Sequence, residues 1–134
     1  VVDIATKVVE IIDMQPNGDE IFLNITSGRK TKAMGVLLGA YARHDKIKKI
    51  TYNPQEDKNK VIYLPRLSFK LTESQKTILE EIDKHPGLSI SDLSKKINIS
   101  TAMLYRAIGE LEDMDFVSKE NGYELTDVGK IARL

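Results

Sequence analysis

The chain has 134 residues, and its 20 Lys and Arg are balanced by 20 Asp and Glu. Without cysteine it has neither disulfides nor thiolate metal sites, and no apolar run approaches the length that spans a bilayer. Its length suits two pieces of about 65 residues, each too small to bury much apolar surface without a partner.

In chain order, Ile4, Ala5, Val8, Ile11 and Ile12 recur at helical spacing and predict an amphipathic helix over residues 3–14. Pro16-Asn17-Gly18-Asp19 forces a turn, and the apolar run Ile21–Ile25 reads as a strand in a sheet covered on both faces. The chain then passes through Thr26-Ser27-Gly28-Arg29-Lys30-Thr31 into a helix over about 29–43, marked by Ala33, Val36, Leu37, Ala40 and Tyr41. Gly35 and Gly39 weaken that helix and imply close packing on the sheet or on a partner. Strands follow at Ile47–Tyr52 and Lys60–Leu64, separated by the polar loop 53–59. This is the grammar of an α/β sheet. Three strands make a thin sheet, and the opening Val1-Val2-Asp3, without an initiator methionine, suggests that preceding sequence supplies more. The expected division is an α/β domain over residues 1–66 and a second domain over 67–134, with Leu67 and Phe69 of the linker packed against something.

The strand-to-helix turn carries the clearest chemistry in the first domain. Such a turn aims unpaired backbone N–H groups and the positive end of a helix at one spot, which suits an anion. Thr26, Ser27, Arg29, Lys30 and Thr31 add side-chain donors, and Gly28 permits the turn. No nucleophile–base pair accompanies them, so the turn reads as a pocket that holds phosphates. His44 and His85 stand apart from any acidic or histidine cluster and read as ordinary surface histidines.

The second half changes character. Thr72-Glu73-Ser74-Gln75 is a capping box ahead of Ile78, Leu79 and Ile82, and Pro86-Gly87 ends that helix. Ser89-Ile90-Ser91-Asp92 reads as a second box, with Leu88 and Leu93 as its hydrophobic staple and Ile90, Leu93 and Ile97 inward. Ser100 caps a third helix whose buried stripe is Leu104, Ala107, Ile108, Leu111 and Met114. Phe116–Leu125 predicts a hairpin turning at Asn121-Gly122, and Thr126 caps a closing helix over Asp127–Leu134. Helix, helix-turn-helix and hairpin together make a winged helix.

Residues 70–134 resemble the winged helix-turn-helix of MarR-like and ArsR-like regulators. The resemblance rests on Leu71-Thr72 with Ile78-Leu79, on Ile90-Ser91-Asp92-Leu93-Ser94, on Ser100 through Leu111 with Arg106, and on Tyr123–Gly129. It implies that the third helix enters the major groove of double-stranded DNA and that the wing reaches the neighbouring backbone. Ser100, Thr101, Tyr105 and Arg106 would be the reading residues, with Lys95, Lys96, Lys119 and Asn121 in support. The charge opposes strong binding. Residues 1–66 carry 11 basic against 8 acidic side chains, whereas residues 67–134 carry 9 against 12. Glu110, Glu112, Asp113, Asp115 and Glu120 lie on the reading helix and the wing. A single such domain should bind DNA poorly, so either a dimer sums two weak half-sites or the winged helix serves as a protein–protein module.

Asn24–Met34, with Leu37, Leu38 and Ala40 beyond it, is similar to the turn of CARF domains, the Rossmann-like CRISPR-associated sensors; Ser27 and Arg29 depart from their Thr-Gly-Gly-Thr-Lys-like pattern. With the winged helix attached, the whole chain resembles CRISPR-associated regulators of the Csa type, with only the later part of the CARF domain present. That resemblance implies a homodimer binding a cyclic oligoadenylate, the tetra-adenylate above all, at Thr26–Thr31; a cytoplasmic protein is the default expectation, and no cofactor is expected. The leading expectation is therefore a non-enzymatic, ligand-responsive transcription regulator, in which the effector alters the spacing of two recognition helices. Two other classes stay open: a slow enzyme that cleaves the cyclic ligand at the turn, and an interaction module.

Overall fold

A computed structural model describes all 134 residues, and within it Val1–Phe69 and Lys70–Arg133 form two compact units. The first unit runs α1 (Val2–Asp13), β1 (Ile21–Asn24), α2 (Lys30–Ala42), β2 (Ile47–Tyr52) and β3 (Ile62–Leu64). β1 and β2 pair in parallel through the α2 crossover, and β3 returns antiparallel to β2, giving the order β1-β2-β3.

Both helices lie on one face of this sheet. Ile12, Ala40, Ile47 and Ile50 form the buried centre, with Val8, Ile21, Leu23, Ile25, Leu37, Tyr41 and Leu64 packed around it. The expectation of a sheet covered on both faces is therefore corrected. β1 alternates rather than being buried throughout, and Phe22 and Tyr63 stand 62% and 65% exposed on the other side. An apolar run reads the same whether one or both faces are covered; here α1 and α2 reach only one. The glycines of α2 do their packing against α1, not against the sheet. A Cβ at Gly35 would stand 2.6 Å from the Ile4 side chain, and one at Gly39 would stand 2.9 Å from both the Ala5 carbonyl and Val8. Leu67, expected to be packed, is exposed, and the third strand starts at Ile62 instead of Lys60.

α1 ends on a carboxylate, where the helix dipole disfavours one. Asp13 is held there by Arg43, through two bonds of 2.8 Å, and by Lys46 at 2.8 Å. Hydrogen bonds from Arg43 first and Lys46 second lower its pKa from 3.8 to about 2. A depressed carboxylate stabilises the fold above its unfolded pKa, and that contribution fades as pH falls through the folded one. Solvent screening of this partly exposed group limits the contribution to about 1 kcal/mol. Asp13→Asn should thus destabilise the first unit at pH 7 in urea titrations, and the gap to wild type should narrow between pH 4 and pH 2. An unchanging gap would show that the carboxylate charge is not its source.

The second unit runs α3 (Glu73–Lys84), α4 (Ile90–Ile97), α5 (Thr101–Asp113), β4 (Val117–Ser118), β5 (Glu124–Leu125) and α6 (Asp127–Ala132). Ile78, Leu79, Ile82, Leu93, Leu104, Ile108, Leu111 and Ile131 are its buried core. The Thr72 capping box is complete, with the Gln75 N–H donating to Thr72 Oγ1 and the Thr72 N–H to Gln75 Oε1. At Ser89 only half the expected box forms. Its hydroxyl accepts from the Asp92 N–H and donates to Asp92 Oδ2, so the shorter carboxylate meets the hydroxyl instead of reaching back to the backbone.

Met114 is part exposed, because the helix stops at Asp113 and Asp115 turns left-handed at φ 59°. The wing is also shorter than expected. Only Val117↔Leu125 and Ser118↔Glu124 pair as strand residues, so the turn is wider than the two-residue Asn-Gly turn. Gly122 alone has positive φ there, and it lies against Gly87, whose N–H donates to the Tyr123 carbonyl. A contact with the α3–α4 loop thus takes the place of a tight hairpin. The closing helix ends at Ala132.

Candidate effector turn and nucleic-acid interface

At the C-terminal ends of the parallel strands, the turn after β1 meets the start of the β2–β3 loop. A crevice in this position is where open α/β sheets place ligands. Asn53, the residue after β2, braces the turn. Its backbone N–H donates to Thr26 Oγ1 at 2.8 Å, its Oδ1 accepts from Asn24 Nδ2 and the Thr26 hydroxyl, and its Nδ2 donates to the Lys58 and Lys60 carbonyls. The Thr26 N–H in turn donates to Asn24 Oδ1. Beside this network lies an open cleft of about 800 Å³ lined by Asn24, Thr26, Tyr52, Asn53, Pro54, Gln55 and Lys58.

Thr26 is therefore a bracing residue in the protein as it stands. Ser27, Gly28, Arg29, Lys30 and Thr31 remain exposed, with Gly28 at φ 100° as the turn requires. Arg29 is the N-cap residue of α2 without a side-chain cap bond, and no acidic residue occupies the first turn. Arg29, Lys30 and Lys32 thus crowd the positive end of a helix, the arrangement the helix dipole disfavours. None of the three has a carboxylate within ion-pair distance. Asn24 and Asn53 are missing from the residues singled out in sequence. Their signal is faint: a carboxamide at the end of each parallel strand, which gains meaning only when the strands are known to be neighbours.

In the second unit, Ser94 and Ser100 shape the turn between α4 and α5. The Ser94 hydroxyl donates to the Ile99 carbonyl, Asn98 adopts the left-handed conformation at φ 61°, and Ser100 Oγ accepts from the Met103 N–H. The oxygen of Ser100 is thereby engaged as a helix cap. Thr101, Tyr105 and Arg106 stand together on the exposed face of α5, with Ala102 and Met103 beside them. Lys95 and Lys96 are exposed in the last turn of α4. On the wing, Lys119 Nζ lies 5.8 Å from the Tyr123 ring centroid, and Asn121 is exposed next to Glu120. The Arg106 side chain is 86% exposed, with Glu110 3.9 Å away as its ion-pair partner. This face can offer a guanidinium fork, hydroxyls and scattered ammonium groups to a polyanion, interrupted by carboxylates.

No group of three or more His, Cys, Asp or Glu side chains gathers in a metal-binding arrangement, and no helix is long and apolar enough to cross a membrane. Residues 71–122 match the MarR family, whose members are DNA-binding transcription regulators of the winged helix-turn-helix type. The match takes in α3, α4, α5 and the wing as far as Gly122. No curated protein matches the chain.

Proposed function

We propose that this chain is a ligand-responsive transcription regulator that reads duplex DNA with α5 and its wing, acts as a homodimer in the cytoplasm, and is not an enzyme. The observation that carries this reading is the exposed Thr101–Tyr105–Arg106 face within a MarR-family winged helix. The finer part of the proposal places the effector at Ser27–Thr31 and takes it to be a cyclic oligoadenylate, with CRISPR-associated genes as the target. It is supported by the unpaired cations at the α2 N-terminus and by the resemblance of the turn to CARF domains. A ring of phosphodiesters with two-fold symmetry suits two identical cationic turns in a dimer.

DNA selected by the protein from a random duplex pool tests the first part. Arg106→Ala should weaken binding to the selected duplex by about 1–3 kcal/mol if the guanidinium forks to a base edge. Lys119→Ala should weaken binding evenly across sequences and flatten the salt dependence, as loss of one phosphate contact does. If both variants bind the selected duplex as the wild type does, α5 is not the reading helix and the interaction-module reading replaces it.

A further inference from the structure

Glu110 sits one turn beyond Arg106, in a place where a carboxylate opposes DNA affinity, and it is anchored from behind. Gln75 is only 8% exposed, and its amide makes one hydrogen bond at each end. Its Oε1 accepts from the Thr72 N–H at 3.0 Å, and its Nε2 donates to Glu110 Oε2 at 3.3 Å. The other carboxylate oxygen, Oε1, lies 3.9 Å from Arg106 Nε. A solvent-exposed i,i+4 pair by itself adds little to stability, partly because both side chains lose freedom on pairing. Here one partner is already ordered by a bond from the buried Gln75 of α3, so that loss falls mainly on the arginine.

We propose that Glu110 is a positioning residue for Arg106, holding the guanidinium by its Nε edge so that Nη1 and Nη2 face outward as a fork for a base edge. The proposal rests on the DNA-reading assignment above. It accounts for a carboxylate on the reading helix, because Glu110 exchanges general affinity for a fixed direction of Arg106. Non-specific binding depends on summed charge and gains from removing Glu110, whereas base discrimination depends on the direction of the fork and loses.

The test uses the full chain and a duplex enriched by the wild type from a random pool, with a scrambled duplex of equal length as reference. Glu110→Gln should lower the ratio of enriched to scrambled affinity by about fivefold or more, within the range for directly coupled side chains. Affinity for the scrambled duplex should hold or rise. In an Arg106→Ala background the same change should leave the ratio unaltered. A ratio within about twofold of wild type in Glu110→Gln overturns the proposal while leaving DNA reading intact. So does an equal fall in the Arg106→Ala background, or a fall in affinity for both duplexes, which would mark Glu110 as structural. If the wild type enriches no sequence, the DNA-reading assignment falls, and this proposal with it.

Discussion

Replacing Arg29 and Lys30 together by alanine should lower affinity for cyclic tetra-adenylate by at least about 100-fold in titration calorimetry, with no loss of thermal stability. Each cation can make charge-assisted bonds to a phosphodiester that a methyl group cannot replace, each worth about 1.5–3 kcal/mol. The structure adds a sign to the stability side. Arg29, Lys30 and Lys32 stand at the positive end of α2 with no acidic residue in its first turn. Removing two of these charges relieves repulsion from the helix dipole, so the unliganded double variant should melt at the wild-type temperature or slightly above it. A site kept at some cost in stability is expected where binding requires it. If the double variant binds as the wild type does, or the wild type gives no heat with the cyclic ligand, the effector assignment is lost. A fall in stability as large as the fall in binding would make the cations structural.

Gly129→Ala should destabilise the winged helix by about 3 kcal/mol or more, the upper range for forcing an atom into a packed site. A Cβ there would overlap the Phe116 carbonyl oxygen, which also accepts the Thr126 N–H. Neither backbone can yield without moving α6 from the start of the wing. Gly109, on the exposed side of α5, is the internal control, since nothing lies within 4 Å of a Cβ at that position. Gly109→Ala should stabilise α5 by about 1 kcal/mol through helix propensity alone. Urea unfolding followed by helical circular dichroism would separate the two. Equal stability of Gly129→Ala and wild type would show that α6 is not held against Phe116 as described.

The two kinds of glycine show what a one-dimensional reading can and cannot contain. Gly28 is legible in sequence, because a strand giving way to polar residues and then to a helix calls for positive φ at that place. Gly35 and Gly39 signal close approach, but not to what, and the approach of Gly129 to Phe116 has no signal in the sequence. α1, whose atoms meet the α2 glycines, lies some thirty residues away along the chain. Asp115, which follows the end of α5, takes a left-handed φ of 59° that an aspartate tolerates.

What the sequence determined by itself is what short-range chemistry controls. Helical spacing and caps together located all six helices within a few residues, and the hydroxyls of Thr72, Ser89, Ser100 and Thr126 marked where four of them begin, since each accepts from an N–H three residues on. The winged helix was readable because nearly every boundary in it carries such a local signal. The tertiary structure alone decided which residues share a place. It put Asn53 under the Thr26 turn, set Arg43 and Lys46 around Asp13, widened the wing through Gly87 and Gly122, and left Phe22 and Tyr63 on an uncovered face of the sheet. Strand alternation says that a face exists, not whether a helix covers it. Polar residues say that they can donate or accept, not which partner the fold will bring within 3 Å.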